Sequence, residues 1–368
     1  MENENKQIVH FAAINPYITT NIVSPKETEV RGNELVEWGD GNKYPQYINS
    51  LYTNVTLLRT IINGIADYVV GENVSLTYAP WAEQVNGNGD TVEDIVRYVS
   101  QDYGRYGGFA LNVIRNRQGG IAEIYYIDFK NLRSDKKNEF FFYSEDWSKS
   151  YGRVKYTKYP KFRTDGKEYS SIYYYKNSKN YVYPISPIAG DGAVAAETEK
   201  SITEFHLNSI KNGFSSNVII NFNNGVPSDE EKEEIEKNLN EKFAGESNAG
   251  RMMVSFNQAK DNEVTVSKME AADFGDRYQA LSKSTKQEIY SAYRAHPVLF
   301  GLPTEGTGFN DQDINESYKL FTMTVILPIQ KIVKVAFEKI LGQKEVIVFQ
   351  PFQIDWTTER KETQIVVK

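Results

Sequence analysis

The chain has 368 residues, 40% of them apolar and 25% charged, a balance that supports a buried core and excludes wholesale disorder. It contains no cysteine, which excludes disulfide staples, thiolate metal sites and a cysteine nucleophile, and fits a reducing compartment. Its net charge of −7, with Lys and Arg dispersed among Asp and Glu, lacks the basic footprint of a protein that grips DNA phosphates. The first residues, MENENKQIVHF, carry no basic and apolar regions of a secretory signal. The longest apolar run, Ile326 to Phe337, is broken by Pro328, Gln330, Lys331 and Lys334. No membrane span is expected, and the chain reads as cytosolic and soluble.

In chain order, residues 1–40 are polar and weakly periodic, with Pro16 and Pro25 interrupting, and read as an N-terminal arm. Gly39, Asp40 and Gly41 mark a turn. Leu57, Leu58, Ile61, Ile62, Ile65, Tyr68 and Val69 follow helical spacing, with Asn54 or Thr56 as cap and Gly71 as stop. A second helix is predicted over Val92 to Tyr103, opened by Thr91 and Asp94 in a capping box with the shorter Asp in place of Glu. From Gly107 to Tyr183 the pattern turns to strands. Phe109 to Ile114 and Ile121 to Ile127 flank Asn116–Gly120 as a hairpin, and further runs are Glu139 to Tyr143, Val154 to Tyr159, Ser171 to Tyr175 and Tyr181 to Ile185. Together they predict an antiparallel, partly solvated sheet. Runs such as Phe140-Phe141-Phe142-Tyr143 and Tyr173-Tyr174-Tyr175 read either as cross-strand packing or as a stacking face for nucleic acid or carbohydrate.

Beyond Gly190, Asp191 caps a helix with Ile202, Phe205 and Ile210 on one side, ending at Gly213. A strand at Asn217 to Phe222 precedes an acidic helix opened by Ser228 and Glu231 as a capping box, with a narrow stripe of Ile235, Leu239 and Phe243. Strands follow at Arg251 to Asn257 and Glu263 to Lys268. Two long helices close the pattern. One spans Asp273 to Ala295, with Phe274, Tyr278, Leu281, Ile289 and Tyr293 on one face, and stops before Pro297. The other runs from Asn310 or Asp311 to Leu341, with a kink expected at Pro328. Between them, Val298 to Phe309 forms a glycine-rich loop.

A search for chemistry returns nothing. His10, His206 and His296 match no metal-ligand spacing. Asp273-Phe274-Gly275 copies a kinase tripeptide without its catalytic loop. Asn86 to Asp90 resembles a calcium loop but has Thr91 at the sixth position and Arg97 at the twelfth. No nucleotide or nucleophile-elbow motif is present, so neither an enzyme, a cofactor nor a metal is expected.

Several strings, taken in order, resemble the portal proteins of tailed phages with long tails. They are WGDGNKYPQYINSLY (Trp38 to Tyr52), GGFALNVIRNRQGGIAEIYYIDF (Gly107 to Phe129) and SIKNGFSSNVIINFNNGVPSDEE (Ser209 to Glu231). FAGESNAGRMMVSFN (Phe243 to Asn257), AYRAHPVLFGLPTEGTGFNDQD (Ala292 to Asp313) and FTMTVILPIQKIVKVAFEKIL (Phe321 to Leu341) continue the series. The resemblance covers residues 35–360, and its most specific passage is the helix, proline, Leu-Phe-Gly, glycine-rich loop and proline-containing helix.

The resemblance implies an α+β portal fold with wing, helical stem, small α/β clip, channel loop and long kinked wing helix. The implied layout is arm 1–40, wing 41–190, stem helix 191–213, clip 214–270, stem helix 271–297, channel loop 298–310, long wing helix 311–342 and C-terminal segment 343–368. Little chain follows Leu341, so no substantial crown is expected. The implied function is a ring, twelvefold in the family, at one capsid vertex, through which double-stranded DNA is packaged and ejected without sequence specificity. Implied partners are further copies of the chain, the terminase large subunit, a head–tail adaptor and the major capsid or scaffold protein. The implied locations are the virion portal vertex and, during assembly, the host cytoplasm. The implied DNA-facing residues are Leu302, Pro303, Thr304, Glu305, Gly306, Thr307, Gly308, Phe309 and Asn310. Glu230, Glu231, Glu233, Glu234 and Lys237 would form the docking surface, unless that acidic helix merely faces water. Twelve copies at −7 give about −84 per ring, repelling the DNA that passes. A ring contact is expected on extra apolar residues of the last helix, Val325, Ile329 and Val333 beside Phe321 and Phe337. The competing reading is a module that binds glycan or nucleic acid on the aromatic-rich sheet.

Overall fold

The computed structural model describes residues 23–29, 34–81, 83–148, 154–211, 218–222, 228, 230, 231, 234, 252–256, 265–268, 274–301 and 311–352. They divide into two units, one of Thr198–Ser284 and the other of Ile22–Glu197 with Thr285–Lys368.

The larger unit begins with β1 (Glu27–Glu29) and β2 (Val36–Trp38), which pair antiparallel. Residues read as arm thus enter a sheet, because Trp38 is 1% exposed and stacks on Tyr183 at 4.5 Å between ring centroids. Helix α1 (Tyr44–Asn54) falls where the sequence reading places no helix. Pro45 sits in its first turn, where a missing N–H costs nothing, and Tyr44, Ile48 and Leu51 form its buried stripe. Helix α2 (Thr56–Val70) buries Leu58, Ile61, Ile62, Ile65 and Val69, and stops at Gly71 with φ +69°. Strand β3 (Asn73–Leu76) follows. Helix α3 (Val92–Tyr106) opens with the predicted box: the Thr91 N–H donates to Asp94 Oδ2 at 2.9 Å and the Asp94 N–H to Thr91 Oγ1 at 3.2 Å. It closes at Gly107, where φ is +78° and an added Cβ would lie 2.2 Å from the Ile185 carbonyl.

The predicted single sheet is two sheets. Strand β4 (Gly108–Arg115) lies between β5 (Ile121–Ile127) and β9 (Ser170–Lys176), both antiparallel to it. The other sheet has the order β1, β2, β6 (Leu132–Ser134), β7 (Phe140–Tyr143) and β8 (Thr157–Pro160). No strand forms at Tyr181 to Ile185. Pro184 lacks a donor, the Tyr183 N–H goes to Glu27 Oε1 at 2.7 Å, and the Val182 carbonyl accepts from Asn138 Nδ2 and the Tyr174 hydroxyl. Side chains replace the ladder there.

Helix α4 (Asp191–Lys211) and helix α5 (Phe274–Ala292) run through both units. Helix α5 ends earlier than predicted, with Arg294 at φ +51° and the Ala295 N–H returning to the Tyr290 carbonyl. In the smaller unit, Phe205 of α4 stacks on Tyr278 of α5 at 4.8 Å, and the Ser282 hydroxyl donates to the Glu199 carboxylate. Its sheet has β10 (Val218–Phe222) in the centre, parallel to β11 (Met252–Phe256) and antiparallel to β12 (Thr265–Lys268). A parallel pair needs a long crossover, and the acidic segment at Ser228 lies in it.

The last long helix is α6 (Asp311–Phe321), a π-helical turn (Thr322–Ile326) and α7 (Leu327–Leu341) in direct succession. Pro328 explains the turn. It cannot donate and its ring crowds the preceding turn, so the ladder widens and the Leu327 N–H reaches back five residues to the Thr322 carbonyl. The kink expected at Pro328 is met by this insertion. Strand β13 (Ile347–Gln350) then pairs antiparallel with β3.

Two buried cations brace the larger unit. Arg133 is fully buried. Its Nη1 donates to the Lys130 and Leu132 carbonyls at 2.8 Å each, Nη2 to the Asn42 carbonyl at 3.0 Å and to Gln46 Oε1 at 3.3 Å, and Nε to Asn42 Oδ1. Its guanidinium lies 4.8 Å from the Trp147 ring centre. Burial pulls its pKa down to about 10, so it stays charged at neutral pH. Asp102, also fully buried, holds Arg105 Nη2 at 2.6 Å and accepts the Phe129 N–H at 3.2 Å. Burial pushes its carboxyl up to about 7, against the pull of the Arg105 guanidinium.

Two measurements follow, both read by tryptophan fluorescence in urea, since Trp38, Trp81 and Trp147 all lie in the larger unit. Arg133→Lys, which loses the planar fork and leaves buried acceptors unpaired, lowers stability by about 3 kcal/mol. The folded pKa of Asp102 lies above its unfolded value, so this group's contribution is full below about pH 4 and is lost as pH rises through about 7. The urea midpoint therefore falls between pH 6 and pH 8, and Asp102→Asn flattens that slope while itself destabilising by about 3–5 kcal/mol through the stranded Arg105.

Candidate channel loop, docking segment and open helix face

Leu302, Pro303, Thr304, Glu305, Gly306, Thr307, Gly308, Phe309 and Asn310 lie outside the described residues, and the anchors on either side are described. His296 is extended, as the residue before Pro297 must be, and Pro297–Phe300 forms a short 3-10 turn that ends at Gly301 with φ +81°. Phe300 packs edge-on against Tyr68 at 6.2 Å and Phe321 at 5.8 Å, and Tyr68 also meets Tyr318 and Phe352. The Tyr68 hydroxyl donates to the Leu299 carbonyl at 2.9 Å. Gly64 of α2 makes room for the Phe300 ring, whose Cε1 would lie 2.7 Å from an added Cβ. The loop's first residues are thus fastened to α2 and to α6, so both its ends leave from one aromatic cluster. No sequence periodicity announces that cluster, because its rings come from four separate segments.

Of the docking residues, Glu230, Glu231 and Glu234 are exposed, while Glu233 and Lys237 lie outside the described residues. The Ser228 N–H donates to Glu231 Oε2 at 2.9 Å and the Glu231 N–H to Ser228 Oγ at 3.3 Å, the predicted box. These hydrogen bonds hold the Glu231 carboxyl below the usual range. The segment therefore presents ionised carboxylates at the start of a helical turn.

The residues expected to form a ring contact are corrected. Phe321, Ile329, Val333 and Phe337 are buried in the core of the larger unit, and Val325 packs against that core. The exposed apolar residues of this helix are Leu320, Met323, Leu327 and Val335. The π turn adds a residue to one turn, so a stripe counted on a 3.6-residue period changes face across it.

The aromatic runs are mostly internal. Tyr174 packs on Phe129 and Phe141, and Tyr173 and Tyr175 on Phe109, with centroids 4.8–6.4 Å apart. Phe141 and Phe142 are fully buried, and Phe140 lies under the Lys158 ammonium. That packing removes the support for an aromatic binding face.

A helical pair carrying a small sheet, beside a mixed unit whose last helix follows a glycine-rich loop, defines the class of phage portal folds, and comparisons agree. The family model for phage portal protein matches residues 88–363, so the chain belongs to the phage portal protein family. A search of curated proteins finds no match. Among solved structures, a chain in the neck of a native gene transfer agent particle, computed with C12 symmetry, is 16% identical, with a TM-score of 0.53 and 85% of each chain covered. A chain in the neck of an empty particle, computed with C6 symmetry, is 17% identical at 0.53, with 86% of each covered. An HK97-family phage portal protein from Corynebacterium diphtheriae is 8% identical at 0.51, covering 81% of this chain and 92% of that one. The fold is accordingly α+β and of the portal type.

Phe300→Ala removes the ring that fastens the loop and costs about 2–3 kcal/mol in urea melts, toward the low end for a Phe deletion because the ring is half-buried. Gly64→Val acts in the same direction by filling the notch from the other side.

Proposed function

We propose that this chain is the subunit of a closed ring at one vertex of a phage-like capsid, through which double-stranded DNA enters and leaves, and that it acts as a structural part and not as an enzyme. The observation that carries the reading is the family match over residues 88–363. Similarity to chains in the necks of particles computed with cyclic symmetry supports a ring within a virion, twelvefold in one of them. In this reading the larger unit, with α6 and α7, is the wing. Helices α4 and α5 are the stem, and the sheet of β10, β11 and β12 is the clip. Terminase, a head–tail adaptor and the capsid or scaffold protein are the partners. The exposed carboxylates of Glu230, Glu231 and Glu234, with Glu233 and Lys237, form the docking face for the first two. Residues 302–310 face the DNA. The anchoring of Phe300 and Leu299 supports a loop held firmly at its base, so that force on its tip reaches the helices.

Native mass spectrometry tests the ring. Twelve copies of a 42.1 kDa chain give about 505 kDa, and that species with an annular outline in negative stain is the expected result. A stable compact dimer overturns the reading. Deletion of residues 303–309 tests the loop: rings still form and DNA retention falls, whereas unchanged packaging and retention remove the role from the loop.

A further inference from the structure

The helix of α6, π turn and α7 has two apolar faces. One is core. The other is open, with Leu320 65% exposed, Met323 69% and Leu327 51%, and with Thr324 and Pro328 exposed beside them. Lys319, Lys331 and Lys339 are exposed on the same helix, and Glu316 lies toward its N-terminal end. The segment Ile314–Leu341 is long and apolar enough to cross a membrane by length and composition. Its inner face nevertheless belongs to the core through Phe321, Val333 and Phe337, and Gln330 Nε2 donates to the Val69 carbonyl at 2.9 Å. An apolar helix with one side committed to a core calls for a partner on the other side, not for lipid all round.

We propose that this open face is one half of the contact between neighbouring copies of the chain, an inference that rests on the ring reading above. A ring contact is heterologous, so each copy must carry a second, different patch to receive it. Helix α4 has the matching chemistry. Val194 is 44% exposed, Phe205 44% and Leu207 50%, and Asp191 and Glu204 are exposed among them. An apolar face bordered by lysines thus meets an apolar face bordered by carboxylates, in a chain whose net charge of −7 disfavours contact between unmatched surfaces. DNA suits the stripe poorly, because phosphates are taken by cations and hydrogen-bond donors, and Leu320, Met323 and Leu327 offer neither. The three side chains are unbranched or γ-branched and protrude in adjacent turns, the form of a small anchor cluster that excludes water at the centre of an interface.

The test uses the full chain. Met323→Glu and Leu327→Glu are compared with the wild type by native mass spectrometry across concentration, with thermal melts alongside. The expected result is a wild-type ring and variants that need about tenfold or more protein to assemble, with melting of the single chain unchanged because both positions are exposed. Where a variant melts early, a thiol replaces the charge. The chain has no cysteine, so Met323→Cys carries the one reactive thiol, with Gln118→Cys in the exposed hairpin turn as control. The thiol of Met323→Cys is shielded from maleimide in the ring and reactive in the dissociated chain. Wild-type rings whose Glu variants assemble equally well, or a Met323→Cys thiol that labels equally fast in both states, overturn this inference and leave the ring reading standing. Intact variant rings that lose only DNA retention overturn it in favour of a DNA-facing role. A wild type that forms no ring overturns the ring reading, and this inference falls with it.

Discussion

The larger unit depends on a guanidinium held without a carboxylate. Arg133 reaches its acceptors on the turn at Asn42, on Gln46 of α1 and on the carbonyls of Lys130 and Leu132, with the Trp147 indole beside it. One side chain thereby joins the β2–α1 turn to β6. A buried cation is tolerable only if every donor is used. The fork geometry of Arg does this where an ammonium would not. Trp38 and Tyr183 stack in the same region, and the Tyr183 hydroxyl donates to the Val36 carbonyl. Segments far apart in the chain are tied to one point, and the unit that carries α6 and α7 is rigid there.

From that base the functional elements are extensions. The loop at 302–310 starts from a ring cluster that includes Tyr68, Phe300 and Phe321, so its base inherits the stiffness of α2 and α6. The acidic segment near Ser228 hangs in the crossover between two parallel strands, with its first turn capped by its own carboxylate. A structural ring subunit requires this division. Surfaces that meet partners or DNA project on short connections, and the bracing sits elsewhere.

The π turn decides which residues of the last helix are free. Pro328 removes a donor, one residue is accommodated in a wider turn, and the apolar content of the helix is split between core and open face. A straight helix would bury a different set. The Leu320, Met323 and Leu327 side chains are therefore legible as a surface only once the turn is seen.

How much was readable beforehand can be traced to the range of each interaction. The capping boxes at Thr91–Asp94 and Ser228–Glu231, the hairpin of β4 and β5, the stop at Gly71 and the break before Pro297 all rest on residues a few positions apart, and each is written in the chain. Family order across residues 88–363 was legible for the same reason that a long series of local patterns is more specific than any one. Tertiary structure alone decided the division into two sheets, the loss of a strand at Tyr181 to Ile185, the five acceptors of Arg133 and the face on which the last helix is open. Those outcomes depend on distant partners, such as Ser134 and Val36, which lie 49 and 147 residues from the Tyr183 hydroxyl they accept from, and periodicity within a segment carries no record of what will lie against it.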